Sequence, residues 1–193
     1  MKVTHVDGFT ENWAATVLAG APMIAPARQF VFPLAVAGEE DALARGALWL
    51  EVRPAHGGTF LAQCALGFAG SGVATGVWAT PNPNDLLAVA GGYAYRMRTL
   101  DPAETELLPM RPVVGVFPAP AADVLVLIGF HHALVLTADG AWESPKLTWE
   151  GVTEVSVKGT LLCGKGWHMP SDREIPFRLD LRTRELTGGG FTP

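Results

Sequence analysis

Asp85-Leu86-Leu87-Ala88-Val89-Ala90-Gly91-Gly92-Tyr93-Ala94-Tyr95-Arg96-Met97-Arg98-Thr99-Leu100-Asp101 is followed, further along the chain, by Asp123-Val124-Leu125-Val126-Leu127-Ile128-Gly129-Phe130-His131-His132-Ala133-Leu134-Val135-Leu136-Thr137-Ala138-Asp139. Both stretches place a short apolar run on each side of a glycine-bearing turn. A run of that length, rich in β-branched and aromatic residues and bounded by turn residues, reads as a strand. Set at an offset of 38, Asp85 meets Asp123, Leu87 meets Leu125, Gly91 meets Gly129, Thr99 meets Thr137 and Asp101 meets Asp139. The coincidences include the turn residues, and a period near 40 is the mark of blade-like β units. Each such unit is a small antiparallel sheet that must pack on a neighbour to bury its faces.

The same plan extends outward. Ala47–Arg53 and Phe60–Leu66 read as a hairpin closed by Pro54, Gly57 and Gly58. Val73–Ala79 precedes Leu86–Ala90 across Thr80–Asp85, whose two prolines cannot donate ladder hydrogen bonds. Val113–Phe117 precedes Val124–Ile128 in the same way. Near the end, Val152–Val157, Thr160–Lys165 and Ile175–Leu181 read as strands, with His168–Arg173 a longer loop and Gly188-Gly189-Gly190 a flexible exit. Helix is scarce: Gly38–Gly46 and Glu11–Leu18 are the two short candidates. The chain therefore reads as one all-β domain over 1–193, with a less regular segment 1–46 ahead of repeated units over 47–193. Blades of that size leave room for roughly four or five. A propeller-like stack is the expected architecture, with a β-sandwich as the alternative.

Composition narrows the class. Hydrophobic residues make up 49% of the 193 and charged residues 17%, enough apolar mass for a full core, which excludes a disordered chain. The net charge is −5, and Arg178, Arg182 and Arg184 stand among Glu174, Asp180 and Glu185. No basic patch displaces counterions from phosphates, so no nucleic-acid partner is expected. The longest apolar run, Val124–Phe130, is far below the ~20 residues of a membrane helix, so no membrane partner is expected either. Met1–Gly8 has no apolar stretch of the signal-peptide kind. Cys64 and Cys163, each in an apolar context, read as reduced thiols of a cytoplasmic protein.

Trp142-Glu143-Ser144-Pro145-Lys146-Leu147-Thr148-Trp149-Glu150-Gly151 resembles a segment of uncharacterised bacterial all-β, propeller-like proteins that have looser relatives in plants. The resemblance extends to Pro176-Phe177-Arg178-Leu179-Asp180-Leu181-Arg182-Thr183 and to Thr75-Gly76-Val77-Trp78, and does not reach the residues before about Ala47. It rests on strand and turn patterns. It implies an all-β fold and carries no activity with it.

Residues able to do chemistry are few. His131-His132 stands out, but neighbours on a strand point to opposite faces, and His5, His56 and His168 are scattered. Tyr93, the counterpart of His131 in the repeat, argues for a turn-flanking role. Cys163 with His168 could pair a thiol with a base, although a thiol after Leu161-Leu162 reads as core. Asp172 and Arg173, in the loop after Trp167 and His168, could bind a ligand or partner. Trp78, Trp142, Trp149 and Trp167 read as core or seam fillers. No phosphate-binding Gly-x4-Gly-Lys-Ser/Thr loop, Gly-x-Ser-x-Gly elbow, paired-cysteine zinc motif or calcium loop occurs. No cofactor and no metal are expected. Two functional classes remain. A non-catalytic protein-interaction module, monomeric or weakly dimeric, is favoured because the scaffold signals are strong and no catalytic motif occurs. The alternative is a small-ligand binder or enzyme whose site is assembled from His131, His132, Asp172 and Arg173.

Overall fold

A computed structural model describes residues 9–33, 42–68, 70 and 72–191, and within them the chain is all-β. It divides into two compact units, Met1–Val113 and Val114–Pro193. His5, the Met1–Gly8 segment and the acidic start of the Gly38–Gly46 helix candidate lie outside the described residues.

The first unit holds two sheets. One consists of β1 (Trp13–Leu18), β2 (Arg28–Phe32), β3 (Ala47–Pro54) and β4 (Phe60–Ala65), in the order β1-β3-β4-β2. The other is a meander of β5 (Gly76–Ala79), β6 (Asp85–Ala90), β7 (Tyr93–Arg98) and β8 (Glu106–Leu107). The second unit repeats the meander twice. It has β9 (Gly115–Ala119), β10 (Val124–Ile128), β11 (Ala133–Leu136) and β12 (Ala141–Glu143), then β13 (Val152–Lys158), β14 (Leu161–His168), β15 (Arg173–Asp180) and β16 (Leu186–Gly188). These four-stranded sheets are the repeated blade-like units expected from the sequence. The departure is β2, which pairs with β4 in parallel, Arg28 opposite Phe60 and Phe32 opposite Cys64.

Each unit has its own core shared by its two sheets. In the first, Leu50, Val52 and Phe60 meet Leu86, Ala88 and Tyr95, all fully buried. The Tyr95 hydroxyl donates to the Ala65 carbonyl oxygen at 2.8 Å, so the phenol enters the core with its polar atom satisfied. In the second, Val126 and Val135 meet Leu162, Phe177 and Leu179. β6 and β10 are buried on both faces, which is why they read as unbroken apolar runs. β15 shows the other pattern: Phe177 and Leu179 are buried and Arg178 is exposed.

Several expectations are corrected. Glu11–Leu18 is not a helix; Trp13–Leu18 is β1, in antiparallel register with β3 from Trp13 opposite Pro54 to Leu18 opposite Trp49. The indole of Trp13 is buried and donates to the Asp85 carbonyl oxygen at 3.1 Å, a long-range contact that no local pattern reveals. Of the second helix candidate, Ala42–Arg45 is a single 3-10 turn. The long loop His168–Arg173 is a tight hairpin instead. β14 runs to His168, one 3-10 turn covers Met169–Ser171, and β15 starts at Arg173, directly opposite His168. The glycine exit is pinned: Gly188 belongs to β16, Gly189 N–H donates to Pro176 O at 3.0 Å, and Gly190 N–H to Leu147 O at 2.8 Å.

Candidate functional site

The β6–β7 turn has two residues, Gly91 and Gly92, both at positive φ (55° and 80°), as a tight hairpin turn requires. The β10–β11 turn has four, Gly129 to His132, so the internal repeat slips by two positions here. The strand-start counterpart of Tyr93 is Ala133, since Tyr93 pairs with Ala90 and Ala133 with Ile128. Tyr93 is fully buried, whereas His131 is exposed on the longer turn. The inserted residues include the histidine pair. The His131 carbonyl oxygen accepts the Leu147 N–H at 2.7 Å, and His132 Nε2 lies 3.8 Å from Glu143 Oε1.

Asp172 ends a different turn, between β14 and β15, and Arg173 is the first residue of β15. Asp172 adopts the left-handed conformation (φ 49°), and Asp123, before β10, does the same (φ 55°). Each closes a one-turn 3-10 segment, Met169–Ser171 and Pro120–Ala122 respectively, that joins two strands of a meander. Aspartate tolerates that conformation better than most residues, so turn geometry accounts for both. Asp172 Oδ1 also accepts the Trp167 indole N–H at 3.0 Å. The two pairs singled out in the sequence thus belong to separate sheets, and among the described residues no ion pair is recorded between them.

Cys163 and His168 lie on one strand, β14, five positions apart, and so face opposite sides of the sheet. They form no nucleophile–base pair. Cys163 is half-buried and shares its sheet face with cross-strand neighbours Arg178 and Ser156. The fully buried thiol is Cys64, which burial pushes up to about 12. Both cysteines are free. Among the described residues, no three His, Cys, Asp or Glu side chains gather where they could hold a metal ion.

Cavities lined by described residues open on the surface of each unit. One of about 430 Å³ in the first unit is lined by Val17, Leu48 and Leu66 among others, with Thr75 as its polar group, and the Thr75 hydroxyl oxygen already accepts the Gly91 N–H. One of about 220 Å³ in the second unit is lined by Phe117, Ile128 and Val155, with Glu154 at its edge. Glu154 is held by Lys165, Nζ to Oε1 2.5 Å. Neither brings together several free polar groups, the feature that marks a site for chemistry.

Two features were not singled out from the sequence. In the first unit, the loop between β1 and β2 runs Ala19-Gly20-Ala21-Pro22-Met23-Ile24-Ala25-Pro26-Ala27, and Met23 and Ile24 are 103% and 91% exposed. In the second unit, Trp149 packs on Phe191 (ring centroids 4.8 Å, planes tilted by 49°), and Lys146 Nζ lies 4.7 Å from the Phe191 ring centroid. Of the six tryptophans, Trp13 is buried, and Trp49, Trp78, Trp142, Trp149 and Trp167 are only half-buried. Trp142 packs against the second unit's core from its edge, and the half-burial of Trp78, Trp142, Trp149 and Trp167 fits the seam positions expected of them rather than the centre of a core.

Among the described residues, no helix is long and apolar enough to cross a membrane. No family model matches the chain, and no curated protein matches it. Among solved structures, the crystal structure of the N-terminal domain of Nup159 is similar to it at a TM-score of 0.39 and 10% sequence identity, over 96% of this chain and 52% of that one, so this chain spans about half of that structure's length.

Proposed function

We propose that this chain is a non-catalytic protein-interaction module, and that the loop Ala19–Ala27 is its docking element. The observation that carries this reading is the complete exposure of Met23 and Ile24. Burying such a side chain is worth about 1.5–3 kcal/mol, and the fold forgoes it twice in succession. Exposed apolar groups held together on a surface mark contact sites. Pro22 and Pro26 bracket the pair and fix two φ angles of the loop, which lowers the ordering cost of docking. The partner is a protein: the net charge of −5 disfavours phosphate backbones. The two unpaired thiols support residence in a reducing cytoplasm, with the chain monomeric or weakly dimeric there.

The test is affinity capture from the native host with the wild-type chain and with Met23→Asp/Ile24→Asp, each checked for native circular dichroism. One partner at near-equal amount with the wild type, lost with the variant, supports the reading. A partner retained by the variant removes the loop from it. The ligand-binding alternative, a site assembled from His131, His132, Asp172 and Arg173, has less support, because neither cavity described above is lined by any of the four.

A further inference from the structure

Phe191 lies against Trp149 and Lys146 because three backbone segments are drawn together. Gly190 N–H donates to Leu147 O at 2.8 Å, Trp149 N–H donates to Trp167 O at 3.1 Å, and the Thr148 hydroxyl donates to the same oxygen at 3.1 Å. Glycine permits this approach. A Cβ on Gly166 would come 2.3 Å from Leu147 O, and one on Gly190 would come equally close to Trp167 O. The Phe191 ring is thereby set between an indole and an ammonium group.

The arrangement is chemically incomplete. Trp149 Nε1 is buried and has no hydrogen-bond partner among the described residues. A buried donor without an acceptor costs about 1–3 kcal/mol. Lys146 is exposed, and among the described residues no carboxylate pairs with it. Phe191 supplies a ring to both groups but no oxygen to either. A ligand with the same ring and a carboxylate beside it would satisfy all three elements: a tilted ring contact with the indole, an acceptor for the indole N–H, and an anion for the ammonium.

We infer that Trp149 and Lys146 form a binding site for an aromatic side chain carrying an adjacent carboxylate, and that the chain's own Phe191 occupies its ring position. The site lies in the second unit and does not depend on the Met23–Ile24 loop of the first, so either can fail without the other. A bound ligand displaces the Phe191 ring, and Phe191 acts as a competitor in cis.

The test uses the full chain with ¹⁵N-labelled tryptophan, the Trp149 indole signal being assigned from Trp149→Phe. The probe is the tripeptide Gly-Gly-Phe with a free carboxylate, with its carboxamide and Gly-Gly-Ala as controls. In Phe191→Ala, Gly-Gly-Phe is expected to shift the Trp149 indole signal saturably. The carboxamide should bind about tenfold or more weakly, since it keeps an acceptor and loses the charge, and Gly-Gly-Ala should not bind. The wild type should bind Gly-Gly-Phe about tenfold or more weakly than Phe191→Ala, through competition. Lys146→Gln should abolish the preference for the acid over the amide. No saturable shift up to about 10 mM in a folded Phe191→Ala chain overturns the inference, as does equal binding of acid and amide. If Phe191→Ala fails to fold, Phe191→Leu, which keeps apolar bulk and removes the ring, is subject to the same criteria.

Discussion

Cys64 and Tyr95 are neighbours in the first unit's core, and both titrate late for the same physical reason. Burial pushes the Cys64 thiol from 9.0 up to about 12, and burial, reinforced by the nearby Cys64, pushes the Tyr95 phenol upward as well. Below pH 9 the thiol is protonated in folded and unfolded chains alike, and its contribution to stability is complete. Above pH 9 the unfolded chain releases the proton and the folded chain keeps it. Stability should then fall by about 1.4 kcal/mol per pH unit for that one group, until the folded thiol itself ionises. Urea unfolding at pH 8, 9 and 10 should show this loss in the wild type and a shallower slope in Cys64→Ala. Equal slopes would mean that the thiol is not held in a dry core. Asp85 is the other residue whose burial has consequences. Its carboxylate is 5% exposed and accepts from Arg96 Nε at 3.0 Å. Asp85→Ala removes the buried carboxylate to which Arg96 Nε donates, and should cost about 1–3 kcal/mol in denaturant unfolding. A loss below about 1 kcal/mol would show that water reaches Arg96 easily.

At the scale of elements, strands that are local hairpins were legible and strands set by distant partners were not. β6, β7, β10 and β11 are apolar runs closed by glycine-bearing turns, and pattern alone found them. β1 was misread because Trp-Ala-Ala-Thr-Val-Leu suits helix and strand alike; pairing with β3 decides it. β2 was missed because a parallel edge strand needs a partner supplied much later in the chain. The hairpin turns yield a prediction that separates geometry from recognition. Asp172 holds a left-handed conformation at the β14–β15 turn, which glycine adopts without strain. Asp172→Gly should stay within about 0.5 kcal/mol of the wild type, whereas a β-branched residue, Asp172→Val, should lose about 1–2 kcal/mol. If both lose equally, the bond from Trp167 to the Asp172 carboxylate, and not the turn, is what matters. A glycine of β14 and one of the turn between β11 and β12 make a second comparison. Gly166→Ala would press a methyl against Leu147 O and should cost about 1–3 kcal/mol, while Gly140→Ala meets open space and should be neutral in thermal unfolding.

At the scale of the whole molecule, the sequence ranked residues by chemical type, and the fold ranks them by exposure. His131, His132, Asp172 and Arg173 attracted notice as groups that could react or ligate, but turns account for where they stand. Met23 and Ile24 carry no reactive group and look like core residues in any local reading; only their complete exposure distinguishes them. Phe191 and Trp149 meet through backbone bonds of Gly190 and Leu147, which no spacing encodes. This difference in kind makes salt a discriminating variable. A partner held by Met23 and Ile24 is held by apolar burial, which salt does not screen and which strongly excluded salts reinforce. A partner held by phosphate contacts would be lost by orders of magnitude between about 50 and 200 mM salt. Capture of the partner should therefore persist from low salt to about 500 mM sodium chloride, where exposed charge pairs are screened over a few ångströms. It should fail at every salt concentration with Met23→Asp/Ile24→Asp. Release by moderate salt with the wild type would place the contact on charged residues and overturn the loop as the docking element, whatever the partner proves to be.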